Sequence, residues 1–167
     1  MPTTVSRGIT VAKPFAQSTP VLRGFAAATS GIIPGSILID NGSGLLTLAA
    51  DGQTSLIVGV SLVTAGTAAS SVVEYVPAFT SVVFEITLED DAAGTSHTLV
   101  AADMYRDYAL ERDSGTAGRF FIDENDANGA NDAMTVIGFK ESLAENATQQ
   151  PPRVYARFLN TVTIYDA

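Results

Sequence analysis

The chain has one histidine, His97, and it directly follows Ser96. Serine and histidine are the residue types of a hydrolytic nucleophile and its general base. Catalysis, however, needs the hydroxyl within hydrogen-bond reach of the imidazole, and sequence neighbours do not provide that geometry. No G-x-S-x-G nucleophile elbow is present either. We therefore expect His97 to be a solvated loop residue, and the chain to have no catalytic residues and not to be an enzyme.

Acidic residues cluster at Glu89–Asp91 and again over 123–132. The first cluster predicts a solvated turn, because a tuned acid–base pair needs two different environments. In the second, a cation could be held by Asp123, Asp126 and Asp132. If Gly129 takes the sixth position of an EF-hand loop, however, Thr135 falls at the twelfth, where the bidentate glutamate belongs. We therefore favour an Asx-rich turn and predict no metal site.

Phosphate-binding loops of the type G-x-x-x-x-G-K-[ST] or G-x-G-x-x-G are missing from the sequence, so no cofactor is expected. The net charge is −9, from 18 acidic and 9 basic residues. This sign disfavours nucleic acids and anionic membranes as partners. Arg153 and Arg157 share a predicted strand face with Tyr155, and we interpret both arginines as salt-bridge or interface residues. Without cysteine there is no disulfide framework and no thiolate nucleophile.

The predicted elements are mostly short strands, and Ser55–Thr64 is the most central of them. As a strand it places Leu56, Val58, Val60 and Leu62 on one face, with Ile57, Gly59, Ser61 and Val63 on the other. Gly59 predicts a bulge or a close approach by a neighbouring layer. Strict alternation predicts a half-buried strand at Ser81–Leu88, and its inward residues are Val82, Phe84, Ile86 and Leu88. The same pattern at Arg153–Leu159 sets the apolar Val154, Ala156 and Phe158 against Arg153, Tyr155 and Arg157.

Turns and one helix connect these strands in the prediction. Pro34-Gly35 predicts a type II turn and Asn41-Gly42 a hairpin. Leu99–Arg112 is the single helix candidate. Thr98 is its expected N-cap, and one face carries Val100, Met104 and Tyr108.

Residues 1–20 contain three prolines and predict an extended N-terminal arm, followed by a single β-rich domain over 21–167. No run of about 18 apolar residues is present, and the N-terminus lacks the pattern of a secretion signal. We expect a soluble chain made in the cytosol. The predicted fold is mainly β: a compact β-sandwich or barrel of short antiparallel strands with one short helix.

The order of these features resembles that of the capsid decoration, or cement, proteins of tailed bacteriophages. The segments that carry the resemblance are 31–35 (G-I-I-P-G), 56–60 (L-I-V-G-V), 98–106, 135–139 (T-V-I-G-F) and 153–158 (R-V-Y-A-R-F). It covers residues 20–167 as a pattern. Members of that group are compact β-rich proteins that sit on assembled heads, commonly as trimers, and often reach a neighbour with a terminal arm.

The resemblance implies a structural virion protein, made in the host cytoplasm, that binds the capsid exterior and stabilises the shell. Its partners would be the major capsid protein and two further copies of itself. The residues expected to contact the shell or a neighbour are Val5, Arg7, Ile9, Val11, Lys13, Phe15 and Arg23. The alternative is another phage structural part, such as a head fibre, a tail tube or a carbohydrate- or receptor-binding β-module.

Overall fold

The computed structural model consists of two rings of short β-strands, one following the other along the chain. It describes residues 9–11, 19–28, 30–90, 97–127, 129–143 and 151–165. The strands are β1 (Thr10–Val11), β2 (Leu22–Ala26), β3 (Ile37–Asp40), β4 (Leu46–Leu48), β5 (Ile57–Ser61), β6 (Ser71–Pro77), β7 (Phe84–Glu89), β8 (Asp107–Arg112), β9 (Phe120–Ala127), β10 (Asp132–Phe139) and β11 (Arg153–Phe158). The prediction of a compact, mainly β fold is confirmed. Of the two predicted architectures, sandwich and barrel, the strands form barrels.

The first barrel has the strand order β2-β4-β3-β5-β6 and closes because β6 pairs again with β2. All neighbours are antiparallel except β2 and β4, which run parallel through the pair Ala26 and Leu46. The predicted tight turns are confirmed. Gly35 has φ 85° and the Ser36 amide donates to the Ile33 carbonyl at 3.0 Å, while Gly42 has φ 82° in the loop between β3 and β4.

The second barrel has the order β7-β11-β10-β8-β9 and closes through a parallel pairing of β7 with β9. That pairing uses only the end of β7, where Leu88 faces Ile122 and Glu89 faces Asp123. The start of the same strand edge pairs instead with β1. Residues 9–11 and 19–20 of the predicted arm are described, and Thr10 and Val11 among them belong to the chain's own sheet.

One hydrophobic core runs through both barrels. It joins Ile37 and Val60 of the first barrel to Phe84, Ile122 and Phe158 of the second. A smaller cluster, which includes Leu38, Val58 and Val73, fills the interior of the first barrel alone. A core shared by both barrels is compatible with the predicted single domain over 21–167. The boundaries of that domain remain a prediction.

Strand β5 contributes to both clusters because it is bulged. Leu38 of β3 lies opposite Gly59 and Ile39 opposite Ile57, so Val58 has no residue opposite it. The bulge turns Val58 into the first barrel's interior while Ile57 and Val60 enter the shared core. Gly59 also permits close approach, since a Cβ there would lie 2.3 Å from the Val76 carbonyl oxygen. The predicted bulge and the close backbone approach are confirmed, and the approaching backbone belongs to β6, the strand paired with β5 in the same barrel.

The predicted apolar face of Ser55–Thr64 is wrong in its middle, where the bulge sends Val58 and Val60 into different clusters, and also at its two ends. Leu56 has φ 61° and is 51% exposed, and Leu62 is 43% exposed. Alternation cannot extend past β5, because the strand pairing stops there. After β11 the chain forms a turn, with a single bridge between Thr163 and Ile57.

The predicted helix Leu99–Arg112 is wrong. The segment forms one 3₁₀ turn at Ala101–Asp103 and then strand β8. Within β8 the alternating Tyr108 and Leu110 are both fully buried. In the second barrel β8 lies between β9 and β10 and pairs with both, so tertiary hydrogen bonding overrides the helical spacing. No helix among the described residues is long and apolar enough to cross a membrane.

Candidate functional site

The predicted contact residues of the N-terminal arm differ in where the structure places them. Four of them, Val5, Arg7, Lys13 and Phe15, lie outside the described residues. Ile9 is 2% exposed and packs in the shared core, so it is not available to anchor a neighbour. Val11 pairs with Phe84 in the sheet.

Arg23 lies on the outer surface of the first barrel, on a patch that we call the β2–β6 face: Arg23, Phe25, Val72 and Glu74. Phe25 and Val72 are directly opposite each other across the strands and are 53% and 55% exposed. Arg23 and Glu74, the pair two residues along, form an exposed ion pair of 2.7 Å. An exposed ion pair contributes only about 0–1 kcal/mol to stability. The β2–β6 face therefore combines apolar side chains left in solvent with a weak, replaceable ion pair.

His97 differs from its prediction as a solvated loop residue, because its side chain is only 12% exposed. Its Nδ1 lies 3.0 Å from Asp90 Oδ1, and its Nε2 lies 3.0 Å from Asp103 Oδ2. Each ring nitrogen thus faces a different carboxylate. The imidazole is held in a fixed orientation between the end of β7 and the 3₁₀ turn.

Asp103 is the fully buried member of this cluster. Its Oδ2 also accepts the Val100 backbone amide at 2.8 Å, and its Oδ1 accepts the Tyr108 hydroxyl at 3.1 Å. Burial, followed by the charge of Asp103, raises the pKa of Tyr108. Arg106 lies over the Tyr108 ring, 5.6 Å from its centroid. Asp103 is therefore anchored on several sides and in turn orients His97.

Glu124 joins the cluster through the register of the barrel's closing pair. Since Glu89 pairs with Asp123, the next residues along the two parallel strands are Asp90 and Glu124. Asp90, His97 and Glu124 each offer one ligand atom, and these atoms all lie within 4.8 Å of one another. The nearest counter-charge in the ion pairs of the described residues is Arg106, whose Nη1 lies 4.0 Å from Glu124 Oε1.

The sequence contained little signal for this cluster. Its residues come from β7, the 3₁₀ turn, β8 and β9, and the spacing of Asp90, His97 and Asp103 matches no familiar motif. The acidic turn prediction at Glu89–Asp91 was wrong for Glu89, which is fully buried in β7. Only the strand register brings Asp90 to Glu124.

In the acidic segment 123–132, two carboxylates accept backbone amides from their own segment. Asp123 Oδ1 accepts the Asn125 amide and Asp132 Oδ1 accepts the Gly129 amide, each at 3.0 Å. These are the contacts of an Asx-rich turn, the interpretation favoured above. Burial raises the pKa of Asp132, and the charges of Asp107 and Asp126 add to this.

Arg153 is a salt-bridge residue, as one of its two predicted roles required. Its Nη1 lies 2.6 Å from Glu85 Oε1, and Lys140 Nζ lies at the same distance from that oxygen. Arg157 is exposed on the same strand. The described part of β11 thus uses its arginines on the outside of the second barrel, while Val154, Ala156 and Phe158 face the core as predicted.

No protein-family model, curated protein or solved structure matches this chain.

Proposed function

We propose that this protein is a structural component of a bacteriophage virion that binds the outside of the assembled capsid and stabilises it. The observation that carries the proposal is the β2–β6 face, where Phe25 and Val72 leave apolar surface in solvent. The resemblance to capsid decoration proteins supports the same function. The partner would be the major capsid protein, and the binding unit a homotrimer located on the capsid exterior.

The β2–β6 face has the chemistry of a contact surface. Full burial of a phenylalanine or valine side chain contributes about 1.5–3 kcal/mol, and part of that amount is still available where half of the side chain is exposed. Arg23 and Glu74 would exchange their exposed ion pair for contacts with the partner at little cost. A ligand that binds only the assembled shell stabilises it by mass action, and a trimer gains further through effective concentration.

The placement of Ile9 sharpens the role proposed for the N-terminal arm. Ile9 packs in the chain's own core and β1 pairs with β7. The residues of the arm proposed to reach a neighbour are therefore those before Ile9 and those after Val11. Val5, Arg7, Lys13 and Phe15 remain the proposed contacts there, and Arg23 is proposed to act with the β2–β6 face.

Co-sedimentation with empty capsids tests the proposal. Expanded and unexpanded capsids are each mixed with the wild type, with Phe25→Ser/Val72→Thr, and with Leu143→Ser. The last variant is the control, because Leu143 is an exposed apolar residue that is not part of the β2–β6 face. We expect the wild type and the control to sediment with capsids and the double variant to bind at least about tenfold more weakly. Binding of the wild type to neither capsid form would falsify the proposal.

Two further measurements separate the arm and the alternative functions. Removal of residues 2–8 leaves Ile9 and β1 in place, so unchanged capsid binding would exclude a role for that part of the arm. The mass of the free oligomer distinguishes a trimer from the rings or fibres expected of a tail-tube or head-fibre protein. Selective binding on a glycan array would favour the carbohydrate-binding alternative.

A further inference from the structure

We propose that Asp90, His97 and Glu124 form a binding site for a divalent transition-metal ion, with Zn²⁺ the best match. The three residues supply one imidazole nitrogen and two carboxylate oxygens within 4.8 Å of one another. Imidazole and carboxylate are both established Zn²⁺ ligands, with bonds of about 2.0–2.2 Å. The inference is independent of the proposed capsid function.

The hydrogen-bonding capacity of His97 provides the first argument. A neutral imidazole has one N–H donor and one lone pair, so it can donate to only one of two carboxylates. Here Nδ1 and Nε2 both lie 3.0 Å from carboxylate oxygens. One of these contacts therefore needs an additional positive charge, which is either a second proton on the ring or a metal ion bound to the lone pair.

The distribution of charge favours the metal ion. Asp90, Asp103 and Glu124 carry three formal negative charges, and Arg106 carries one positive charge beside Glu124. A second proton on His97 would leave a formal charge of −1, whereas a divalent cation with neutral His97 balances the cluster.

Asp103 supplies the supporting contact that metal-binding histidines usually have. Such a histidine commonly donates its second N–H to a carboxylate, which fixes the tautomer and strengthens the bond to the metal. Nε2 faces Asp103 in this way, and Asp103 is itself fully buried and held by the Val100 amide and the Tyr108 hydroxyl. Asp103 is therefore a positioning residue, and Nδ1 is the ligand atom.

The location gives the metal a structural role. Asp90 and Glu124 lie one residue beyond the last pair of the parallel β7–β9 contact, which closes the second barrel. A metal bound to both would link the two strands beyond their last paired residues and fix His97 to them. We expect bound Zn²⁺ to raise the thermal unfolding midpoint of the whole protein.

Zinc titration of the full chain after EDTA treatment tests the site, with ZnCl₂ as the only ligand. We expect one ion per chain, binding weakened at least tenfold in both Asp90→Asn and His97→Ala, and weakening of about 10–100-fold in Asp103→Asn. Asp126→Asn is the matched control, since it removes a carboxylate from the other acidic cluster, and it should bind as the wild type does. Asp90 is partly exposed, so its variant tests the site even if His97→Ala does not fold.

Nitrogen NMR of the single histidine separates the metal from the second proton. With Zn²⁺ we expect Nδ1 to carry the metal-bound shift and Nε2 to remain protonated. Three results would overturn the inference: no saturable zinc binding by the wild type below millimolar concentration, an Nδ1 that stays protonated at saturating zinc, or loss of binding in Asp126→Asn with retention in Asp90→Asn.

Discussion

The two barrels share their strand number and their manner of closure but differ in what they bury. Each has five strands and one parallel pair, β2–β4 in the first and β7–β9 in the second. The second barrel buries Phe84, Phe120 and Phe158 almost completely. The first has aliphatic residues and Tyr75 inside and leaves Phe25 half exposed to solvent. The first barrel therefore leaves part of its apolar side-chain surface exposed to solvent.

The polar residues are divided just as unevenly. The second barrel contains the His97–Asp103–Tyr108 hydrogen bonds and the Glu85 ion pairs, which join separate strands and turns. On the first barrel, the cross-strand ion pair is the exposed one between Arg23 and Glu74. The second barrel therefore holds the side-chain contacts that connect distant segments, while the first presents the surface proposed to bind the capsid.

The largest difference in the free energy of unfolding is expected when a phenylalanine is replaced by alanine in each barrel. Phe158→Ala removes a ring that packs edge-to-face on Phe84 with centroids 5.3 Å apart, and should lower the free energy of unfolding by about 3–5 kcal/mol. Phe25→Ala removes a half-exposed ring and should change it by less than about 1 kcal/mol. Urea unfolding measures both. Equal losses would mean that the β2–β6 face is structural.

Gly59→Ala tests the close contact between β5 and β6 of the first barrel. Its new methyl group would lie 2.3 Å from the Val76 carbonyl oxygen and 2.7 Å from the Tyr75 ring, and we expect a loss of about 1–3 kcal/mol. Gly115→Ala is the control, because the added methyl would meet only the Asp113 carboxylate, at 3.2 Å. Comparable urea midpoints for the two variants would contradict the need for glycine at position 59.

High pH probes the buried polar cluster of the second barrel. Because the pKa of Tyr108 is raised in the folded state, its contribution to stability is complete below about pH 10 and falls as the pH rises above that value. At pH 11 the loss should be about 1 kcal/mol, and Tyr108→Phe should remove it. Tyr105→Phe, at a 77% exposed residue, serves as the control and should keep the wild-type slope. An unchanged slope in Tyr108→Phe would exclude this group as the cause.

The smallest effect is expected at Asp132. Its raised pKa means that the charged form is disfavoured in the folded protein. The contribution of Asp132 to stability is therefore complete below its pKa in the unfolded chain and is lost as the pH rises through its pKa in the folded protein. Asp132→Asn keeps an oxygen for the Gly129 amide and should raise the thermal midpoint slightly at pH 7, by an amount worth less than about 0.5 kcal/mol. At pH 3 the two proteins should unfold together. A stabilisation that persists at pH 3 would point to another cause.

Local patterns predicted the elements whose partners are nearby in sequence. Pro34-Gly35 and Asn41-Gly42 form their turns because few residues accept positive φ, and that restriction acts within four residues. The bulge at Gly59 was predictable for a related reason, since a residue without a Cβ marks a close approach. The strand within Leu99–Arg112 was not predictable in this way, because helical spacing and strand alternation both fit that stretch. The choice between helix and strand depends on pairing with β9 and β10.

The sequence by itself determined that this chain is mainly β, where its tight turns lie and which side of Ser81–Leu88 and Arg153–Leu159 faces the core, because these depend on side-chain alternation and backbone sterics. Only the tertiary structure decided that there are two barrels, that Ile9 belongs to the chain's own core, and that His97 lies between Asp90 and Asp103. Those arrangements depend on which distant strands pair and in what register. One pairing, the parallel contact of β7 with β9, both closes the second barrel and brings Asp90 beside Glu124.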